Sequence, residues 1–111
     1  MKKLLSLLML GSISTSLVAA GGIGARQISK AAFQTGGFFM YAEEGWSNPN
    51  SCTQNNAIVL LDTDKNYDKA YALLLAAYMS GKKVQGYSNG CAVFDGQTYN
   101  TIRGHKYLVV H

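Results

Sequence analysis

The chain switches between two spacings of apolar residues. From Phe38 the side chains alternate, with Phe38, Met40 and Ala42 to one side and Phe39, Tyr41 and Glu43 to the other. Period two predicts a strand with two distinct faces. Gly36-Gly37 precedes it as a turn, and Ile23–Ala32 before the turn reads as a strand. The two form a hairpin across the glycine pair. Ala57-Ile58-Val59-Leu60-Leu61 is a continuous, partly β-branched apolar run and predicts a buried strand ending at Asp62. Between them, Gly45 to Asn56 is a polar loop whose Asn, Ser and Pro residues supply turn chemistry. It holds the chain's single Trp and single Pro.

At Tyr67 the spacing changes. Tyr67, Ala70, Tyr71, Leu74, Leu75 and Tyr78 recur at helical intervals, predicting a helix over Tyr67–Met79 with this stripe on the core. Asp64 or Asn66 is a suitable N-cap, Asp68 complements the helix dipole, and Gly81 is placed to end the helix. Lys83–Ser88, Ala92–Phe94 and Lys106–Val110 read as strands, with turn dipeptides at Asn89-Gly90 and Asp95-Gly96. The order β-β-β-α-β-β, mainly β with one helix, points to a small five-stranded OB-type barrel.

The first twenty residues stand apart. Met1-Lys2-Lys3 is a basic start, Leu4–Leu10 an apolar stretch, and Val18-Ala19-Ala20 a small-residue cleavage site. This is the pattern of a secretory signal peptide. Gly11, Ser12, Ser14, Thr15 and Ser16 cut the apolar run short of the ~20 residues that a membrane span needs. The expectation is a signal peptide at 1–20 and one domain at 21–111, secreted or periplasmic, with no membrane span. Composition agrees with a folded domain, at 48% hydrophobic and 14% charged residues. The formal charge of +4 falls by two when Lys2 and Lys3 leave with the signal. That field is too weak for a dedicated nucleic-acid binder.

Cys52 and Cys91 are the only cysteines. In a small exported domain such a pair is expected to form a disulfide, worth roughly 3.5–4 kcal/mol on the chain-entropy model. An intermolecular bridge and a catalytic thiol are the alternatives. The thiol would need a base, and the only histidines are His105 and His111.

Other chemistry is sparse. Asp62-x-Asp64-x-Asn66-x-Asp68 opens like a calcium loop, but the sixth position is Tyr67 and the twelfth Leu73, where Gly and Glu are required. A capped strand-to-helix turn is the better reading. Glu43 and Glu44, as strand neighbours, point to opposite faces and cannot flank one bond. No nucleophile motif, phosphate loop, metal cluster or cofactor signature is present, so no catalytic residue, metal or cofactor is expected.

Two surfaces remain as candidates. Trp46, with Ser47, Asn48 and Asn50, sets a flat apolar ring beside amides and a hydroxyl, which suits a sugar. The alternative is that Trp46 closes one end of the barrel as core. On the helix, Ala72, Leu73, Ala76 and Met79 fall off the core stripe, and exposed apolar patches of this kind mark interfaces. A homo-oligomer is therefore expected, unless the segment Gly22–Thr35 folds over that face.

A family resemblance joins these features. Cys52-Thr53-Gln54-Asn55-Asn56 before a strand, Tyr71 to Val84 across the helix exit, and Gly90-Cys91 after the next strand are similar to small exported bacterial proteins that resemble the B subunit of subtilase cytotoxin. Tyr107-Leu108-Val109-Val110 fits the last strand of that family. The resemblance implies an OB-like barrel, export and a ring of five subunits, with a secreted A subunit as a further partner. The serine with which the toxin subunit binds sialic acid matches no position here. The expected function is a non-catalytic exported binding domain recognising glycan. The alternative is a structural or accessory exported protein without a glycan ligand.

Overall fold

A computed structural model describes residues 21–104 and 106–111. The expected signal peptide and His105 lie outside the described residues. The described residues are mainly β, with one helix and two sheets.

Residues expected to form one strand from Ile23 to Ala32 make two, β1 (Gly21–Gln27) and β2 (Lys30–Gln34). Ile28 is buried at the bend between them, and the Ser29 N–H donates to the Tyr41 carbonyl. The bend carries the backbone from one sheet to the other. Across the Gly36 turn, β2 pairs antiparallel with β3 (Gly37–Tyr41), as the hairpin reading requires. Gly36 has φ +97°, a conformation glycine adopts without a steric penalty. β3 then pairs with β4 (Gln54–Leu61), which starts three residues earlier than its apolar run.

After the helix α1 (Tyr67–Ser80), the strands are β5 (Lys83–Ser88), β6 (Cys91–Phe94), β7 (Gln97–Thr101) and β8 (Val109–Val110). β5 and β6 are again one path interrupted at Asn89-Gly90. The Thr101 N–H donates to the Gly90 carbonyl and carries the ladder across the break. The sheets run β1-β5-β8 and β2-β3-β4-β7-β6. Counting each bent path once, and setting aside the two-residue β8, leaves five strands in OB order, with β4 and β7 as the parallel pair.

One strand expectation needs correcting. The barrel's closing strand is Gln97–Thr101, whereas Lys106–Val110 contributes only Val109–Val110, paired on the outer side of β5. Gln-Thr-Tyr-Asn-Thr lacks an apolar alternation because its buried residues, Asn100 and Thr101, are polar.

The alternation in β3 sorts the core as expected. Phe38, Met40 and Ala42 join Ile23, Ile58, Leu60, Leu74, Val84 and Ile102 inside. Phe39 faces the other side of the sheet with Ala57 and Val59. There it makes edge-to-face contacts with Phe94 and Tyr99, at centroid distances of 4.8 and 5.3 Å. The helix seats Ala70, Leu74 and Ala77 on the barrel, flanked by Tyr67, Tyr71 and Tyr78. Ala77, seven residues after Ala70, lies almost directly above it and takes the place expected for Leu75. Gly81 ends the helix in the left-handed region at φ 70°. The Lys82 N–H reaches back to the Ala77 carbonyl at 3.0 Å.

Cys52 and Cys91 are joined by a disulfide, which ties the polar loop to β6. With the partners 39 positions apart in sequence, closure of this loop is worth about 4 kcal/mol. Thiol titration of denatured, unreduced protein is expected to read zero. The Cys52→Ser/Cys91→Ser double variant is expected to lose about 3–4 kcal/mol in urea unfolding. Two titratable thiols, or an unchanged midpoint, would contradict this.

Candidate functional site

The polar loop is built into the scaffold. Trp46 is 3% exposed and packs in the main core, its indole N–H donating to the Met40 carbonyl at 3.0 Å. It offers no face to a ligand. The Ser47 hydroxyl accepts the Gly24 N–H at 3.0 Å. Asn48 accepts from the Cys52 N–H at 2.8 Å and the Asn100 amide at 2.7 Å, and donates to the Cys52 carbonyl. The Asn50 amide donates to Ser88 Oγ at 2.7 Å, to Asn100 Oδ1 at 3.0 Å and to the Gly90 carbonyl at 3.3 Å. The sugar-binding reading of Trp46, with Ser47, Asn48 and Asn50 beside it, is corrected at its centre: the ring is not exposed. An indole closes the core, and polar side chains set beside Asn100 and Ser88 satisfy buried groups before they can serve a ligand.

A different surface is open. The bend of the first strand path, the exit of β3 and the start of β5 enclose a groove of about 510 Å³. Ala25 to Ser29 form one wall, Ala42, Glu43 and Glu44 another, and Lys83 closes an end. A β-bulge shapes it. Between Ile23 and Arg26 the register of β1 against β5 shifts. The freed Gly24 N–H goes to Ser47, and Arg26 is re-aimed toward the groove. Arg26 Nε lies 3.4 Å from Glu44 Oε1, and Arg26 Nη1 donates to the Ala25 carbonyl.

Two cations, Arg26 and Lys83, face two carboxylates, Glu43 and Glu44. The groove is thus dense in donors and acceptors with no formal charge to spare. β3 ends at Tyr41, so Glu43 and Glu44 sit in a turn and both line the groove. The expectation that strand geometry separates them does not apply. The usable sequence signal was Glu43-Glu44 directly beyond an alternating strand. Nothing in the spacing of Arg26 or Lys83 announces the bulge that assembles them.

At the start of the helix the acidic residues do structural work. Asp64 is buried and accepts the Asn66 and Gly104 N–H groups, both at 2.9 Å, with Arg103 Nε 3.3 Å away. It pins residues 103–104 to the helix entry. Burial, then Tyr71, Asp62 and Asp68, raises the Tyr67 phenol above its ordinary 10.0. Among the described residues no cluster of His, Cys, Asp and Glu could hold a metal ion.

The four helix residues expected at an interface, Ala72, Leu73, Ala76 and Met79, are all exposed. Leu73 is 40% and Met79 75% exposed. Gly22–Thr35 forms strands and leaves this face uncovered. No helix among the described residues is long and apolar enough to cross a membrane. No family model, curated protein or solved structure matches the chain.

Trp46→Ala is expected to cost about 3–5 kcal/mol by thermal or urea unfolding, as for other large aromatics removed from a core. A variant that melts with the parent would place the indole outside the core.

Proposed function

We propose that the protein is an exported, non-catalytic binding domain, of the toxin-B-subunit kind, that recognises glycan. The observation that carries this reading is the charge-balanced groove at the strand bend. A neutral, hydroxyl-rich ligand needs many donors and acceptors in a concave surface and little net field. Arg26, Gln27, Ser29, Glu43, Glu44 and Lys83 supply that set. A disulfide-stapled barrel suits a secreted or periplasmic setting. The resemblance between Cys52 and Val110 adds a toxin-like ring and a secreted A subunit as partners.

The uncovered helix face supports self-association. A monomer would leave Leu73 and Met79 in water beside the small side chains of Ala72 and Ala76, which allow a close approach of another backbone.

Two measurements test these statements. On a glycan array the purified protein is expected to bind a restricted set of saccharides. Arg26→Ala and Glu44→Gln should each weaken binding about tenfold or more. Their melting temperatures should barely change, because an exposed ion pair contributes little to stability. Binding to no saccharide, or binding untouched by both substitutions, would defeat the groove assignment. By light scattering, Leu73→Glu is expected to lower the mass of the assembled protein without loss of fold. An unchanged mass would remove the helix face from the interface.

A further inference from the structure

The break between β5 and β6 sets two unlike peptide groups side by side. The group joining Gly90 to Cys91 is held. Its carbonyl accepts the Thr101 N–H at 3.0 Å, the Ser88 hydroxyl at 3.1 Å and the Asn50 amide at 3.3 Å. The group joining Asn89 to Gly90 is bare. Among the described residues neither the Asn89 carbonyl nor the Gly90 N–H has a hydrogen-bond partner. The Asn89 side-chain amide has none either, and the residue is exposed. Asn48, Asn50 and Asn100 nearby are all engaged.

Asn89 is also the one asparagine followed by glycine. An asparagine carries an electrophile, its Cγ carbonyl, within reach of a nucleophile, the amide nitrogen of the next residue. A hydrogen bond that fixes the intervening peptide plane keeps the two apart, and so does a side chain on the next residue. Both are missing here. Gly90 has no Cβ, and one built on it would meet no atom within 4 Å. The nitrogen can therefore turn onto Cγ. An N–Cγ bond forms, the Cγ–Nδ2 bond breaks, and ammonia leaves with the proton that the nitrogen carried. Water then opens the cyclic imide. Opening at Cγ gives aspartate, and opening at the main-chain carbonyl gives isoaspartate. We propose that Asn89 is a site of spontaneous amide loss in the folded protein, with water as the co-reactant, and that its isoaspartate product loosens the place where the polar loop, β5 and β7 meet.

The two products differ physically. Aspartate keeps the length of the backbone and adds a negative charge at an exposed position. Isoaspartate routes the main chain through the side chain and adds a methylene between Ser88 and Gly90. Neither neighbour can yield to it, because Ser88 is buried and Cys91 is tied to Cys52. The Gly90 carbonyl is pushed off the Thr101 N–H, and a buried donor is left without its acceptor. None of this depends on what the groove binds or on self-association.

The test uses the full purified protein, disulfide intact, aged at mildly alkaline pH and followed by mass and by fragment sequencing. The segment around Asn89 should gain the mass that turning an amide into an acid adds, with aspartate and isoaspartate both present. Because the peptide group is already free, the native protein should react within about tenfold of the rate of the same chain reduced and denatured. Asn89→Gln should keep the parent circular dichroism and lose the reaction. Asp95-Gly96 yields isoaspartate by the same route without a change of mass, so the gain separates the two sites. A native rate below that range, or a gain in this segment that survives Asn89→Gln, overturns the proposal. In urea the isolated isoaspartate form should unfold at a lower midpoint than Asn89→Asp, which should follow the parent. Equal midpoints would overturn the link between the modification and the loosening.

Discussion

Asn100 is a fully buried amide, and the closing of the barrel depends on satisfying it. Its Oδ1 accepts from the Asn50 amide and lies 3.3 Å from the Asn50 backbone N–H, which also donates to it. Its Nδ2 donates to Asn48. Ser88 and Thr101, also buried, complete the cluster with hydroxyls 3.3 Å apart. These residues come from the polar loop, β5 and β7, which meet at the seam where the parallel β4–β7 pairing closes the sheet. A buried polar group left without a partner costs about 1–3 kcal/mol, so the bonds to Asn100 favour the observed arrangement of the three segments. The Cys52–Cys91 disulfide crosses the same seam. Covalent and hydrogen-bonded constraints thus act on one place, where a small domain has least apolar surface to hold itself shut.

That seam explains what the sequence hides. The helix, the alternating strand from Phe38, the glycine hairpin and the cysteine pairing are legible because each follows from local spacing or local chemistry. β7 is not, because Asn100 and Thr101 occupy core positions that pattern analysis reserves for apolar side chains. Trp46 misleads for the complementary reason. Its neighbours in sequence are polar, but the Gly45 turn folds the indole back beneath Met40, and its one polar atom meets a carbonyl there. Local polarity describes Ser47 and Asn48 correctly and says nothing of where the ring between turns must go.

The bends are a second nonlocal effect. Ile23–Ala32 looks like one strand because nothing in its composition marks Ile28-Ser29 as a corner. A small barrel with five strands cannot close unless long strands change sheets, and bulges and bends supply the curvature. The corner leaves Arg26 and Gln27, still paired with Val84 and Lys83 of β5, at the end of β1, where they line the groove beside the exit of β3. The groove is a by-product of closure. Its four charged residues are plain in the sequence, but their meeting depends on a bulge against β5, a strand more than fifty residues further along the chain.

Closure also determines where apolar surface is left over. Bending each long path at its middle puts its two halves in different sheets, and β2 and β6 become the outermost strands of the five-stranded one. The same geometry gives the helix a barrel wall on one side only, so Ala70, Leu74 and Ala77 are covered while Leu73 and Met79 are not. Phe33, Val93, Leu73 and Met79 are exposed because nothing among the described residues covers the two edges or the back of the helix. Covering them takes atoms from outside the described fold. The groove needs none: its charges are already balanced, and it stays polar and open where the chain turns.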